Sequence, residues 1–107
     1  MKSQNVKIVV FVPESHAKVV REAMGTAGAG KIGNYSHASF SSTGKGRFLP
    51  LAGANPAIGE VGKIEEVDEE RIEVLCDRML LAKVIAAMKA VHPYEEVAFD
   101  VYPVESF

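Results

Sequence analysis

Val6–Val12 reads Val-Lys-Ile-Val-Val-Phe-Val and closes on Pro13. Its density of β-branched residues predicts a strand. Val6, Ile8, Val10 and Val12 fall on one side of that strand, and Val9 and Phe11 fall on the other. A strand that is apolar on both sides sits inside a sheet and is covered on both faces. A second run of the same kind, Arg71–Cys76 (RIEVLC), alternates as another strand. The two runs belong to a weak repeat at an offset of 64 residues: Val10 matches Val74, Val20 matches Val84, Ala23 matches Ala87 and Met24 matches Met88.

Working outward, a helix is expected over residues 15–27, with Ala17, Val20, Met24 and Ala27 on its buried stripe and Ser15 as its cap. Gly25, Gly28 and Gly30 end it. Asn34–Ser42 alternates and is read as the second strand. Residues 43–64 hold five glycines and two prolines, with a short strand possible at Arg47–Leu51. A connection of that length is usually functional or mobile. Asp77 heads a second helix running to about Val91, with Leu80, Val84, Ala87, Met88 and Val91 buried, and His92-Pro93 stops it. Glu96–Val104 is the last strand. The order βαβ-βαβ predicts a single α+β domain over residues 1–107 with the ferredoxin-like split βαβ fold, in which two helices cover one face of a four-stranded antiparallel sheet. Val9, Phe11, Leu75 and Tyr102 would then point away from the helices, and an apolar patch there predicts a homo-oligomer packed sheet to sheet.

Composition narrows the function classes. Apolar residues make up 48% and charged residues 24% of the 107-residue chain, the balance of a globular domain. A net charge of −2 argues against a nucleic-acid partner. Residues 1–50 carry seven Lys/Arg against two acids, and residues 51–107 carry five against twelve. Half of the acids lie between Glu60 and Glu73, which reads as a solvated acidic hairpin. No apolar stretch approaches the roughly 18 residues of a membrane span. The N-terminal run lacks the small-residue cleavage site of a signal peptide. The lone Cys76 sits at the end of an apolar run as a small core residue, and a reducing, cytoplasmic setting is the expectation.

Two glycine motifs are decoys. Gly28–Gly33 fits GxGxxG and Gly25–Ile32 nearly fits a phosphate-binding loop. Both motifs need a strand before the glycines and a helix after them, and here the order is reversed. The stronger candidate for chemistry is His92-Pro93-Tyr94-Glu95-Glu96, at the turn between the second helix and the last strand. A histidine at a helix C-terminus is favoured when charged, and the nearby carboxylates would raise its pKa. The bland alternative makes this a structural corner with solvated acids.

These residues together resemble a known family. Val12–Ala17 (VPESHA), Gly28–Tyr35 (GAGKIGNY), Ser39-Phe40, Gly44–Pro50 (GKGRFLP), Gly53–Gly59 (GANPAIG) and His92–Glu96 (HPYEE) are similar, in order and over nearly the whole chain, to the domain inserted in bacterial Nif-three-like proteins. Members of that family carry the name GTP cyclohydrolase I type 2 homologue. The resemblance implies a fold like that of the PII signalling proteins and CutA, which form trimers. It places the family's two-metal site in flanking segments outside these residues, so neither those ligands nor a hydrolase activity can be carried over.

Three readings follow. The favoured one is a PII- or CutA-like binding or regulatory module, a homo-oligomer with a trimer first in line, which touches a protein partner through residues 43–64. Its candidate ligand-binding residues are His92, Tyr94, Glu95 and Glu96, joined by His37 and by Asn55. The second is a metal-dependent hydrolase built on the same segment. The cofactor is then a divalent metal, with His92, Glu95 and His16 as candidate ligands. The third is a purely structural oligomerisation cap.

Overall fold

A computed structural model describes residues 2–107. The chain runs β1 (Lys2–Pro13), α1 (Ala17–Thr26), β2 (Phe40–Phe48), β3 (Glu65–Asp77), α2 (Leu81–Val91) and β4 (Phe99–Glu105). A short 3-10 turn precedes each helix, at Glu14–His16 and Arg78–Leu80. The four strands form one sheet in the order β2-β3-β1-β4, and every neighbouring pair is antiparallel. This is the ferredoxin-like order expected from the two βαβ halves. Both turns and both helices begin 64 residues apart, so the sequence repeat is a structural repeat.

The core follows from parity along the strands. Val6, Ile8 and Val10 of β1 pair with Cys76, Val74 and Ile72 of β3, and all six are buried. Side chains two apart share a face, so this set meets Ala17, Val20 and Met24 of α1 and Val84 and Met88 of α2 in one cluster. Cys76 belongs to it, and burial raises its thiol pKa, with Asp77 adding to the effect.

Several boundaries differ from the sequence expectation. The second strand is Phe40–Phe48, not 34–42, and residues 34–39 hold only an isolated bridge from Ile32 to Tyr35. The register explains the shift. Lys45 lies opposite Asp68 and Arg47 opposite Glu66, and each pair forms an ion pair. On the same face, Arg21 of α1 bonds Glu70. Cross-strand charge pairing therefore sets a segment whose glycines argue against a strand. The acidic run is accordingly paired strand rather than a free hairpin, and β3 starts at Glu65. The connection is thereby shortened to residues 49–64, since its first residues belong to β2.

The helix starts shift as well. Ser15 does not cap α1. It lies in the 3-10 turn and bonds the His16 ring, which leaves α1 without a side-chain cap. Asp77 caps the turn ahead of α2, accepting from the Met79 N–H at 2.9 Å. α1 is ended by Gly28 and Gly30 as expected, although Gly25 lies inside it: the Ala29 N–H bonds the Met24 carbonyl while Gly28 takes a φ of 117°. β4 begins at Phe99, three residues later than the sequence predicts.

The face away from the helices is less apolar than expected. Val9 is only 1% exposed. The register seats it between Glu73 and Asp100, and Glu73 reaches toward both Lys7 and Arg71. Long charged side chains flanking an apolar residue in this way can cover it with their aliphatic stems. Phe11 and Leu75 are half-buried, and Tyr102 remains exposed at 45%. Among the described residues, no helix is long and apolar enough to cross a membrane.

Candidate functional site

The open face of the sheet carries a cavity of about 780 Å³ at the end where β1 reaches Phe11. Its floor is the odd-numbered side of β3, with Glu69 and Arg71, and the even-numbered side of β2, with Ser42, Gly44 and Gly46. One wall is the turn Tyr94–Glu96. The other is the connection after β2, which brings in Leu51 and Ile58. That connection is fastened at both ends: the Gly62 N–H bonds the Pro50 carbonyl at 2.9 Å, and Pro50 is buried. At its middle, the Asn55 N–H donates to Glu95 Oε1 at 3.0 Å.

His92 anchors this corner from behind. It is 7% exposed and ends α2 in an extended conformation. Its Nε2–H donates to the Phe11 carbonyl at 2.8 Å, and its Nδ1 accepts from the Tyr94 N–H at 3.2 Å. A carbonyl can only accept and a backbone N–H can only donate, so the ring is the neutral Nε2–H tautomer. Burial pushes its pKa below the ordinary imidazole value, a shift that His16 reinforces and that the Phe11 carbonyl and Glu69 oppose. Desolvation outweighs the nearby acids, so the ring favours its neutral form over the imidazolium the sequence suggested.

Tyr94 carries the link onward. Its ring lies 5.1 Å from His92 and meets Phe48 edge-on at 5.8 Å. Its hydroxyl donates to Glu69 Oε2 at 2.9 Å. Burial raises the phenol pKa, and the Glu69 hydrogen bond and charge raise it further, so Tyr94 stays a donor. Glu69 is 8% exposed, facing Gly44 across the strand pair. A side chain at Gly46 would overlap Glu69 Oε1, so glycine there makes room for the carboxylate.

The sequence candidates therefore separate. Tyr94, Glu95 and Glu96 line the cavity, Asn55 ties its wall through the backbone, and His92 stands behind it. His37 lies elsewhere. It takes a φ of 60° and packs so closely on Gly25 of α1 that a Cβ there would overlap its ring. The same end of the molecule is marked by the Gly30 N–H bonding the Leu75 carbonyl, far along β3 from Arg71 and Glu69. His16 bonds its neighbour Ser15 and is close enough to His92 to affect its charge. The proposed metal set does not fit: both His92 nitrogens are engaged and Glu95 holds the Asn55 amide. Among the described residues, no three His, Cys, Asp or Glu side chains converge on a metal position. The sequence reading missed Glu69, Gly44, Gly46 and Arg71. Only the strand register brings them together.

No family model matches the chain. A protein of Bacillus subtilis named GTP cyclohydrolase 1 type 2 homolog is 54% identical over 99 residues, which is 92% of this chain and 26% of the relative. The protein of that name from Mycobacterium tuberculosis is 52% identical over 96 residues, 90% of this chain and 25% of its own length. The chain thus spans about a quarter of these curated relatives. Among solved structures, a Bacillus cereus protein related to NIF3 superposes with a TM-score of 0.85 at 51% identity, over 99% of this chain and 27% of that one. The periplasmic divalent cation tolerance protein CutA of Archaeoglobus fulgidus superposes with a TM-score of 0.70 at 19% identity, over 96% of this chain and 86% of its own, and establishes a shared fold. The chain is a homologue of one CutA-like, ferredoxin-like domain carried within the longer Nif3-related proteins.

Proposed function

We propose that this domain is a small oligomeric binding module whose site is the open-face cavity between β2, the fastened connection and the Tyr94–Glu96 turn. One observation carries the reading: a half-open cavity of about 780 Å³ with apolar walls and a buried carboxylate at its floor. That size and that mixture are typical of small-molecule sites. The groups at the corner are arranged to hold a shape. His92 is bonded on both sides to the backbone, and Tyr94 is fixed by Glu69. Binding is the role this preorganisation favours.

Assembly into a homo-oligomer, a trimer first in line, is part of the same proposal. The cavity occupies one end of the open face. Tyr102 pairs with Lys7 toward the other end, and Phe40, 66% exposed, lies opposite Glu73 on β2. These exposed aromatics offer a second copy an apolar contact away from the cavity. A protein partner would read the outer surface of residues 49–64, where Leu51, Val61 and Ile64 are exposed.

The test is a titration with the neutral apolar dye Nile red. A Cβ at Gly44 meets nothing within 4 Å, so Gly44→Leu should fold and intrude on the cavity floor. Wild type should bind the dye and the variant should bind it at least about tenfold more weakly. Equal binding by the two proteins would remove the cavity from consideration.

A further inference from the structure

Glu69 is buried to more than nine-tenths, lines the cavity and uses only half of its carboxylate. Its Oε2 accepts from the Tyr94 hydroxyl, while among the described residues no protein donor reaches Oε1. Oε1 lies on the Gly46 side, in space that any larger residue would take. Among the described residues no sealed-off side-chain oxygen lacks a partner, so Oε1 opens on the cavity and is free to accept a hydrogen bond from a ligand there.

The surrounding charges select which donor. Three cations border the cavity, and each is already engaged by a carboxylate that does not. Arg71 reaches Glu73 at 3.5 Å and lies over the Phe11 ring, Lys45 pairs with Asp68, and Arg47 pairs with Glu66 at 2.9 Å. Glu69, Glu95 and Glu96, which do border it, have no cationic partner among the described residues, and Glu95 holds only the Asn55 N–H. The uncompensated charge of the cavity is therefore negative. Phe11, Phe48, Leu51 and Ile58 supply apolar wall.

Resting on the cavity as a binding site, we infer that its ligand carries a protonated amine or amidinium on an apolar body, with the cationic nitrogen donating to Oε1 of Glu69. The carboxylate at the floor fixes the polar end and the apolar walls take the remainder. An anion is disfavoured by the same charges. The cationic nitrogen belongs either to a free small amine or to a lysine or arginine side chain of a protein.

The experiment compares phenethylamine with phenethyl alcohol, a neutral molecule of nearly the same shape, by calorimetry at neutral pH. Wild type should bind the amine at least about tenfold more tightly than the alcohol, since charge-assisted hydrogen bonds are the stronger class. Glu69→Gln keeps the shape and an acceptor for Tyr94, and its melting temperature serves as the fold control. It should lose the preference and leave alcohol affinity within about twofold. Gly44→Leu should weaken both probes. An amine preference that is absent from wild type, or that survives in Glu69→Gln, overturns the inference and leaves the cavity standing if the alcohol still binds. Failure of wild type to bind either probe overturns both. A leucine-lysine-leucine peptide that binds more tightly than phenethylamine points to a protein source for the cation, and the reverse order points to a free amine.

Discussion

Replacing His92 by alanine removes two hydrogen bonds at once, because the ring donates to the Phe11 carbonyl and accepts from the Tyr94 N–H. Each such bond is worth about 1 kcal/mol net, and leaving a buried backbone partner unsatisfied costs about 1–3 kcal/mol. The ring is nearly fully buried, so its removal also leaves a void. A loss of about 2–4 kcal/mol follows, which lowers the melting temperature of a domain this size by roughly 10–25 °C. The pH dependence separates this explanation from a generic packing defect. His92 has a folded pKa below its unfolded value, so the unfolded chain binds its proton more readily. Its contribution is present above about pH 6.5 and is lost as pH falls from there through the folded pKa. Within that window the loss approaches about 1.4 kcal/mol per pH unit. Urea unfolding of wild type and His92→Ala at several pH values between 5 and 8 measures both effects. Wild type should weaken on acidification more steeply than the variant. Parallel stability profiles, with a shift of less than about 1 kcal/mol at neutral pH, would mean that the ring does not hold this corner as a neutral bridge.

Gly46→Ala should destabilise relative to Gly44→Ala by about 1–2 kcal/mol in thermal unfolding, because only the former displaces Glu69 from Tyr94. Equal melting temperatures would show that Glu69 relocates without loss. Val9→Asp should unfold the chain while Tyr102→Asp leaves it folded and dissociates the oligomer in light scattering, since Val9 is buried within one copy and Tyr102 is exposed. A wild-type monomer at micromolar concentration would end the assembly proposal. Lys31→Ala should change any nucleotide affinity by less than about threefold, because the glycines around it end α1 and the Gly30 N–H is already bonded to Leu75. A loss of about a hundredfold would require a genuine phosphate loop there.

Parts of the fold with apolar periodicity were legible in the sequence. β1 announced itself through Val6, Ile8, Val10 and Val12, and the 64-residue repeat placed Val74, Val84 and Met88 in one core with Val10, Val20 and Met24. β2 was legible only at its two ends, in 40–42 and 47–48, because the evidence for its middle is not local. Between Phe40 and Phe48 its residues are serine, threonine, glycine, lysine and arginine, and that stretch becomes a strand beside Asp68, Glu66 and Glu70 of β3. The covering of Val9 was hidden for the same reason: an apolar residue between charged neighbours looks exposed until Glu73 is seen reaching across to Lys7 and Arg71. Local pattern cannot register a charged side chain that serves as roof through its aliphatic stem.

The site divides along the same line. His92–Glu96 stood out because a histidine, a tyrosine and two glutamates stand together around a proline, and three of these residues do line the cavity. The reading of His92 as a charged group failed on a quantity that sequence does not carry, its burial. Glu69 was lost among seven acids between Glu60 and Glu73, although it differs from the others in two ways that only the register reveals. It points to the open face, while Glu66, Asp68 and Glu70 point toward the helix side and find cations there. It also stands opposite Gly44 and beside Gly46, so β2 sends no side chain to it. The features that make β2 a poor strand by propensity are thus the ones that leave a carboxylate buried and half-used beneath a cavity. Filling Gly44 or Gly46 would yield a more ordinary sheet and, by this reasoning, a sheet with nothing to bind.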